Sequence, residues 1–390
     1  MSKINDLIKE MCPNGVEFKK LEDCCNILDN KRKPISKGIR KMGEYPYYGA
    51  NGIQDYISDY IFDGKYVLVG EDGSVQTPNG TPIVNWAIGK IWVNNHAHII
   101  EEIDGVSLRY LYHYLQIVDV KDLIHGNIPK LNQSNFRNIK IAVPPLEVQE
   151  EIVKILDKFG ELEAELEAEL EVRKSQYEFW RGNVFSSNNN LIKLDDVCNI
   201  TAGGTPSKTH SEYWENGNIR WLGSTVCENK KGISEVTNYI TELGLSKSSA
   251  KLLKPGTTLI AMVGATIGKV AYLDYEACTN QNVASLFPKN INELDTSYLY
   301  HACRNLYSVF LDYANGKFSM ASLGYIKNLK IPLPNINEQK RIAKLLDKFD
   351  TLINDISEGL PAEIELRRKQ YEYYRNKLLN FKVQSIYEEN

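Results

Sequence analysis

Apolar residues recur along this chain in two rhythms. Ile152, Leu156, Phe159, Leu166, Leu170, Tyr177, Trp180 and Val184 follow steps of four and three, with Glu163 and Arg173 as the only polar members of the series. A strict two-position seam predicts a coiled-coil-like helix. Taken from Glu147 to Phe185, such a helix would be about 58 Å long at 1.5 Å per residue. Ile342, Leu346, Phe349, Ile353, Ile356 and Leu360 keep the same beat, which resumes at Ile364, Arg367, Tyr371, Tyr374 and Leu378. Pro361 lies between the two runs and should kink or break the helix there. Two seams of similar length most simply bury each other as an antiparallel pair, against the alternative of ordinary long core helices. Elsewhere the apolar runs are short and bounded by turn signals such as Asp72-Gly73 and Pro78-Asn79-Gly80. They predict strands at Tyr66–Val69, Lys90–Val93, Ile219–Leu222 and Thr258–Val263, with helices near Ser297 to Phe310.

The rhythm is written twice. Ile139 through Phe159 aligns without a gap to Leu329 through Phe349, including Leu156-Asp157-Lys158-Phe159 against Leu346-Asp347-Lys348-Phe349. Farther on, Gln176-Tyr177-Glu178 returns as Gln370-Tyr371-Glu372 at an offset four residues larger, about one helical turn. Fainter echoes pair Tyr110-Leu111-Tyr112-His113 with Tyr298-Leu299-Tyr300-His301, Lys20-Leu21 with Lys193-Leu194, and Gly126 with Gly316. Self-similarity at a fixed period marks a repeat architecture. The chain therefore reads as an α+β, pseudo-twofold tandem repeat in which a pair of long antiparallel coiled-coil-like helices separates two β-rich domains. The expected boundaries are a β-rich part over 1–143, a helical spacer over 144–188, a second β-rich part over 189–333 and a second spacer over 334–390.

Composition narrows the function classes. At 390 residues, 43% hydrophobic and 25% charged, the chain is too long for one ordinary domain and too apolar to be mostly disordered. The longest uncharged apolar stretch, Thr257 to Gly268, falls short of the roughly 20 residues needed to span a bilayer. No signal-like segment opens the chain, so a cytoplasmic location is expected. Seven cysteines without a C-x-x-C pair suit buried thiols rather than a disulfide framework or zinc ribbon. His96 and His98 share a strand face, but no third ligand cluster is evident beside them, and no metal is expected. The net charge of -4 hides asymmetry, because 147–185 alone carries 5 basic against 11 acidic groups.

Apparent catalytic motifs fail on inspection. Gly264-Ala265-Thr266-Ile267-Gly268-Lys269-Val270 is one residue short of a phosphate loop and lacks the hydroxyl that would hold magnesium. Val143-Pro144-Pro145-Leu146 lacks the amide and aromatic of an adenine methyltransferase motif, and fits a rigid strand exit instead. Asp63-Gly64-Lys65 is too short to identify a nuclease. What the β-rich parts do offer is cationic and aromatic material. Lys31, Arg32, Lys33, Lys37, Arg40 and Lys41 are six cations in 11 residues without an acid, followed by Tyr45, Tyr47, Tyr48 and Asn51. Thr205, Ser207, Lys208, Tyr213, Arg220, Lys230 and Lys231 form a looser counterpart in the second part. Cations neutralise phosphates while tyrosine and asparagine reach sugars and base edges. A solvated loop in the first part and core aromatics in the second remain the alternatives.

The sequence Pro144-Pro145-Leu146-Glu147-Val148-Gln149 running into Asp157-Lys158-Phe159, then Arg173-Lys174-Ser175-Gln176-Tyr177-Glu178, repeated after about 190 residues, resembles the specificity subunit of type I restriction-modification systems. Gly43 through Gly52 and Ile200 through Pro206 also resemble stretches of that family's target recognition domains. The resemblance spans essentially the whole chain. It implies two target recognition domains, each reading one half of an asymmetric bipartite site in double-stranded DNA. It also implies helices that set the spacing and dock two copies of a methyltransferase subunit, with a restriction subunit joining through the complex. Ile152, Leu156, Phe159, Leu166, Leu170, Tyr177, Trp180, Ile342, Leu346, Phe349, Ile353, Tyr371 and Tyr374 would form the helix pair and docking surface. Cofactors belong to the partner subunits in such complexes, so none is expected here. The competing readings are a self-sufficient DNA methyltransferase or nuclease with diverged motifs, and a two-lobed protein-interaction scaffold.

Overall fold

A computed structural model describes residues 2–186, 190–233, 236, 238–315, 320–355 and 357–383. Gly316 and Ile356 lie outside the described residues. The chain divides into two compact units, Met1–Glu165 with Glu365–Asn390, and Leu166–Ile364. Each unit therefore holds one β-rich domain together with helical segments from both copies of the repeat. Among the described residues no helix is long and apolar enough to cross a membrane.

In the first unit six strands lie in the order Asn26–Ile27, Ala97–Glu101, Phe62–Gly70, Val84–Val93, Met42–Gly49 and Gly52–Ile57. Val67, Leu68 and Val69 are completely buried on the central strand, which explains its run of β-branched and aliphatic residues. Neighbouring pairs are antiparallel except where Tyr47 and Tyr48 lie parallel to Trp92 and Val93. In the second unit Cys198–Ala202, Val283–Pro288, Thr257–Ala261 and Val270–Leu273 repeat the first four places. Ile219–Leu222 and Asn238–Ile240 repeat the last two, with Trp221 and Leu222 parallel to Cys278 and Thr279. The unbroken strand Val84–Val93 thus corresponds to two pieces, Val270–Leu273 and Cys278–Thr279, and the break leaves sheets of five and three strands, the fifth being Lys230–Lys231.

The helical signal is realised closely. One helix runs from Leu146 to Ser186, and Ile336–Asn354 and Leu360–Leu379 form the second copy. The predicted break falls ahead of the proline: the helix stops at Asn354, and Pro361 occupies the first turn of the next one, where a missing N–H costs nothing. In the first unit Phe159 stacks on Tyr374 at 5.3 Å and Arg368 bonds Glu163, so the two segments run antiparallel. Ile152, Leu156, Leu378 and Leu379 join that unit's core. In the second unit Tyr177, Phe185, Ile342, Leu346 and Ile353 are buried in one cluster, with Leu170 and Phe349 packed against it.

The repeated motifs earn their places through matching hydrogen bonds. Buried Gln149 donates to the carbonyls of Gly105 and Pro144 and accepts from Ser107 N. Gln339 does the same with Glu293, Pro334 and Asp295 N. Tyr110 and Tyr298 donate to the carbonyls of Ala142 and Pro332. The Pro-Pro segment is a strand exit leading into a helix, as expected, since Lys140–Val143 precedes Leu146.

Candidate nucleic-acid interface

The cation-bearing loops of the two domains occupy the same place in the fold. Each follows the domain's first edge strand, Asn26–Ile27 or Cys198–Ala202. Lys33 N donates to Val93 O at 3.3 Å, and Gly204 N to Thr279 O at 2.8 Å. A tryptophan indole then holds the same carbonyl in each: Trp92 Nε1 to Lys33 O at 2.6 Å, and Trp221 Nε1 to Gly204 O at 2.9 Å. The two tryptophans stand on different strands, so no sequence alignment pairs them. Lys31, Lys33, Lys37, Lys41 and Asn51 are exposed in the first domain, as are Ser207, Lys208 and Arg220 in the second. Thr205 Oγ1 donates to Gln281 Oε1 at 2.6 Å, Tyr213 stacks on His210, and Arg220 lies over Tyr275 at 4.6 Å. Lys230 is exposed beside Glu228 on the far edge strand, away from the loop.

Several residues expected to touch DNA are committed to the protein interior. Arg32 reaches Glu71 at 2.6 Å, the carbonyl of Ala97 at 2.6 Å and Asp29 at 3.5 Å, with 11% of its side chain exposed. A guanidinium that spends three of its five donors on the interior and pairs with two buried carboxylates is held away from a phosphate. Tyr47 is 1% exposed, accepts from Ile35 N at 3.0 Å and lies under Arg40. Arg40 also bonds Ile35 O and Asp55, while Tyr48 is buried in the sheet and Tyr45 packs on Tyr60. Lys231 bonds Asp347 at 2.6 Å and Ser297 at 2.7 Å over the ring of Tyr272. For Arg32, Arg40, Tyr45 and Lys231 an opposite charge or a ring from elsewhere in the chain captures the side chain, whereas Tyr47 and Tyr48 are taken up by the packing of the sheet and its flanking loop.

The neighbourhood of His98 is richer than the sequence suggested. Asp29, Glu71 and His98 offer ligand atoms within 4.8 Å of one another. They suit an ion-pair network better than a metal, because His98 Nδ1 faces Asp29 at 2.7 Å, Nε2 faces Leu131 O at 2.8 Å, and Arg32 supplies the positive charge. Burial raises the Asp29 carboxyl, but His98 and Arg32 outweigh it and hold it below its usual range. His96 pairs separately with Asp72. All seven cysteines are free thiols, six of them buried, and burial outweighs a backbone hydrogen bond with Ala261 to push Cys227 up to about 12.

The helical residues converge on two matching joints. His113, from the helix Leu108–Leu115, donates through Nε2 to Asp157 at 2.7 Å and accepts at Nδ1 from Tyr371 Oη at 3.0 Å. His301, from the helix Thr296–Asn305, meets Asp347 at 2.7 Å and Tyr177 Oη at 3.4 Å in the same way. Three repeated sequence motifs thus meet at one point, twice, and each joint takes its tyrosine from the other copy's helical segment. Burial lowers both histidines below their usual range, so each ring is neutral at pH 7, with one nitrogen donating and the other accepting. Burial raises both aspartates, but His113 with Arg109, and His301 with Lys231, bring them down, Asp347 to about 2. Trp180 corrects the seam: it is 49% exposed, whereas Phe185 is buried four residues beyond Arg181, whose guanidinium covers Tyr177. An α-helix of 3.6 residues per turn drifts against a 3.5-residue seam, and the buried face has rotated by the end of the helix.

Comparison with known proteins places these features. The chain matches the model for the type I restriction modification DNA specificity domain twice, over residues 13–172 and 186–366. It is 37% identical to a putative type I restriction enzyme specificity subunit of Haemophilus influenzae, covering 94% of this chain and 96% of that one. The EcoR124I/EcoR124II specificity subunit of Escherichia coli is 38% identical over 70% of this chain and 71% of its own length. The crystal structure of the type I restriction-modification S subunit from M. genitalium superposes with a TM-score of 0.59 at 16% identity, covering 94% of this chain and 96% of that one, a likeness of fold.

Proposed function

The chain belongs to the family of type I restriction-modification DNA specificity subunits, and from that premise we propose how its parts divide the work. It is the sequence-specific DNA recognition subunit of such a complex and is not itself the catalyst. Its partners are DNA and the methyltransferase subunit. In our reading each β-rich domain recognises one half of an asymmetric bipartite site. The helical segments hold the halves at a set spacing and dock two methyltransferase copies, through which a restriction subunit joins, in the cytoplasm. The observation that carries the reading is the equivalence of the two cationic loops, each anchored by a tryptophan to the same backbone carbonyl. Lys31, Lys33, Lys37 and Lys41 in one domain and Lys208 in the other supply the phosphate contacts, which fix register without carrying sequence information. The test is footprinting of the chain assembled with its methyltransferase, together with labelled S-adenosylmethionine. Protection of a bipartite site, with methyl transfer only when the partner is present, is the expected result. Transfer by the chain alone would overturn it, as would failure of the assembled complex to protect any unique site.

A further inference from the structure

The cationic loops flank a second pair of equivalent features that the sequence did not single out. Between the parallel-paired residue Val93 and the strand Ala97–Glu101 lie Asn94, Asn95 and His96. Between Thr279 and the strand Val283–Pro288 lie Asn280, Gln281 and Asn282. Both three-residue loops are built alike. Asn94 N donates to Tyr48 O at 3.1 Å and Asn280 N to Leu222 O at 2.9 Å. Asn94 Oδ1 accepts from His96 N at 2.8 Å, and Asn280 Oδ1 from Asn282 N at 2.9 Å. The first asparagine is thus used up in closing the turn, a local side-chain to backbone bond that stiffens it. The middle residue is exposed in both: Asn95 in one domain, Gln281 in the other.

Both middle residues are primary amides, which present a donor and an acceptor side by side, the complement of the N7 acceptor and N6 donor of adenine in the major groove. Their surroundings suit that use. Lys33 is bonded through its backbone to Val93, the residue before Asn94, and the loop carrying Lys208 is bonded to Thr279, the residue before Asn280. An amide therefore leaves beside a cation in the first domain and beside the root of a lysine-bearing loop in the second, the combination that sets register and then reads a base edge. In the second domain Thr205 Oγ1 donates to Gln281 Oε1, which fixes the amide plane while the second lone pair of Oε1 still accepts and the NH2 group donates. Because the loops are equivalent, each amide addresses its own domain's half of the site.

We propose that Asn95 and Gln281 are specificity-determining residues, each reading an adenine in the half-site of its domain. This rests on the recognition function proposed above. The test uses the full chain coexpressed with its methyltransferase, with the modified motif read by sequencing and affinities measured on duplexes carrying each base at each position. Asn95→Ala should lower discrimination at one adenine of one half-site by roughly 10- to 100-fold, leaving the other half-site and the gap intact. Gln281→Ala should do so in the opposite half. Asn95→Asp and Gln281→Glu, which keep shape but only accept, should shift preference from adenine toward cytosine. Variants that leave every position of the motif unchanged, or that weaken cognate and non-cognate duplexes equally as a phosphate contact would, overturn the proposal while leaving the recognition function standing. A wild-type complex that protects no bipartite site overturns the recognition function, and this proposal with it.

Discussion

Replacing Asp347 with asparagine removes the central acceptor of the second joint and gives the sharpest energetic test of it. The carboxylate accepts from Lys231 at 2.6 Å, His301 at 2.7 Å and Ser297 at 2.9 Å. It is held at about 2 against an ordinary 3.8, burial raising it and the partners prevailing. At ~1.36 kcal/mol per pKa unit that difference is worth about 2.4 kcal/mol. With 34% of the side chain exposed, solvent screening reduces the expected share to about 1.5 kcal/mol. Asparagine also leaves Lys231 without its counter-charge, with 25% of its side chain exposed. The total expected loss is therefore about 2 to 3 kcal/mol. The sign with pH follows from the unfolded chain. Because Asp347 is depressed when folded, its contribution is present above about pH 3.8 and disappears as pH falls toward 2. His301 is also lowered, so the unfolded chain takes up its proton first and stability declines as pH drops below the ordinary 6.5. Asp347→Asn should erase the first component and deepen the second, since the carboxylate was raising the histidine. Hydrogen exchange provides the assay: amides of Thr296–Asn305 should exchange roughly 30- to 140-fold faster, by ~1.4 kcal/mol per decade, while Leu108–Leu115 is unchanged. Equal exchange in Thr296–Asn305, with urea stability within about 0.5 kcal/mol of wild type, would refute the joint as an energetic link.

Four further outcomes separate the structural residues from those proposed to meet DNA or the partner. Lys31→Ala with Lys33→Ala should weaken DNA binding by the assembled complex almost equally on cognate and non-cognate duplexes and flatten its salt dependence. Arg32→Ala should instead cost about 3 kcal/mol of stability, measured by denaturant unfolding, because it takes the shared guanidinium from the buried Asp29 and Glu71 carboxylates and leaves them only His98 and Lys130. Leu166→Lys together with Ile353→Lys should abolish copurification with the methyltransferase at wild-type stoichiometry, the charge at buried Ile353 costing several kcal/mol, roughly, and that at half-buried Leu166 less. Deleting Glu165–Ala168, one copy of a tetrapeptide written three times, shortens the helix by about 6 Å with a net turn of about 40°. One base pair turns the duplex by about 35°, so the sequenced methylation motif should keep both half-sites and lose one base pair from the gap.

The helices and the repeat were legible because they depend on spacing, which sequence records directly. Ile152, Leu156, Ile342 and Leu346 are buried where their rhythm places them. Trp180 was not legible, since the seam's drift accumulates over the length of the helix and only the packed partner reveals where the buried face has turned. The cationic loops were legible as composition, but the fate of each side chain was not. Arg32 looks like Lys31 and Lys33 until Glu71, 39 residues away, is brought to it. Likewise the motifs containing His113, Asp157 and Tyr371 were each visible as repeats. Their meeting was not, because hydrogen bonds spanning 44 and 258 residues leave no trace in local pattern.

The equivalence of the domains also constrains how an asymmetric site is read. The tryptophan-held carbonyl, the buried glutamine at the strand exit and the asparagine that closes the three-residue turn occur in both halves, so they cannot distinguish one half-site from the other. They fix where the backbone of each loop lies. Difference must come from the side chains mounted on that common frame. The first loop carries Lys31, Lys33, Lys37 and Lys41 where the second has Gly203, Thr205, Ser207 and a single lysine, Lys208. The first three-residue turn carries a shorter amide, Asn95, where the second carries Gln281, one methylene longer and bonded by Thr205. Reach and charge thus differ between halves whose backbones agree. On the proposed reading, side-chain substitutions in these loops should change what is read without disturbing the joints at His113 and His301, which lie on separate helices.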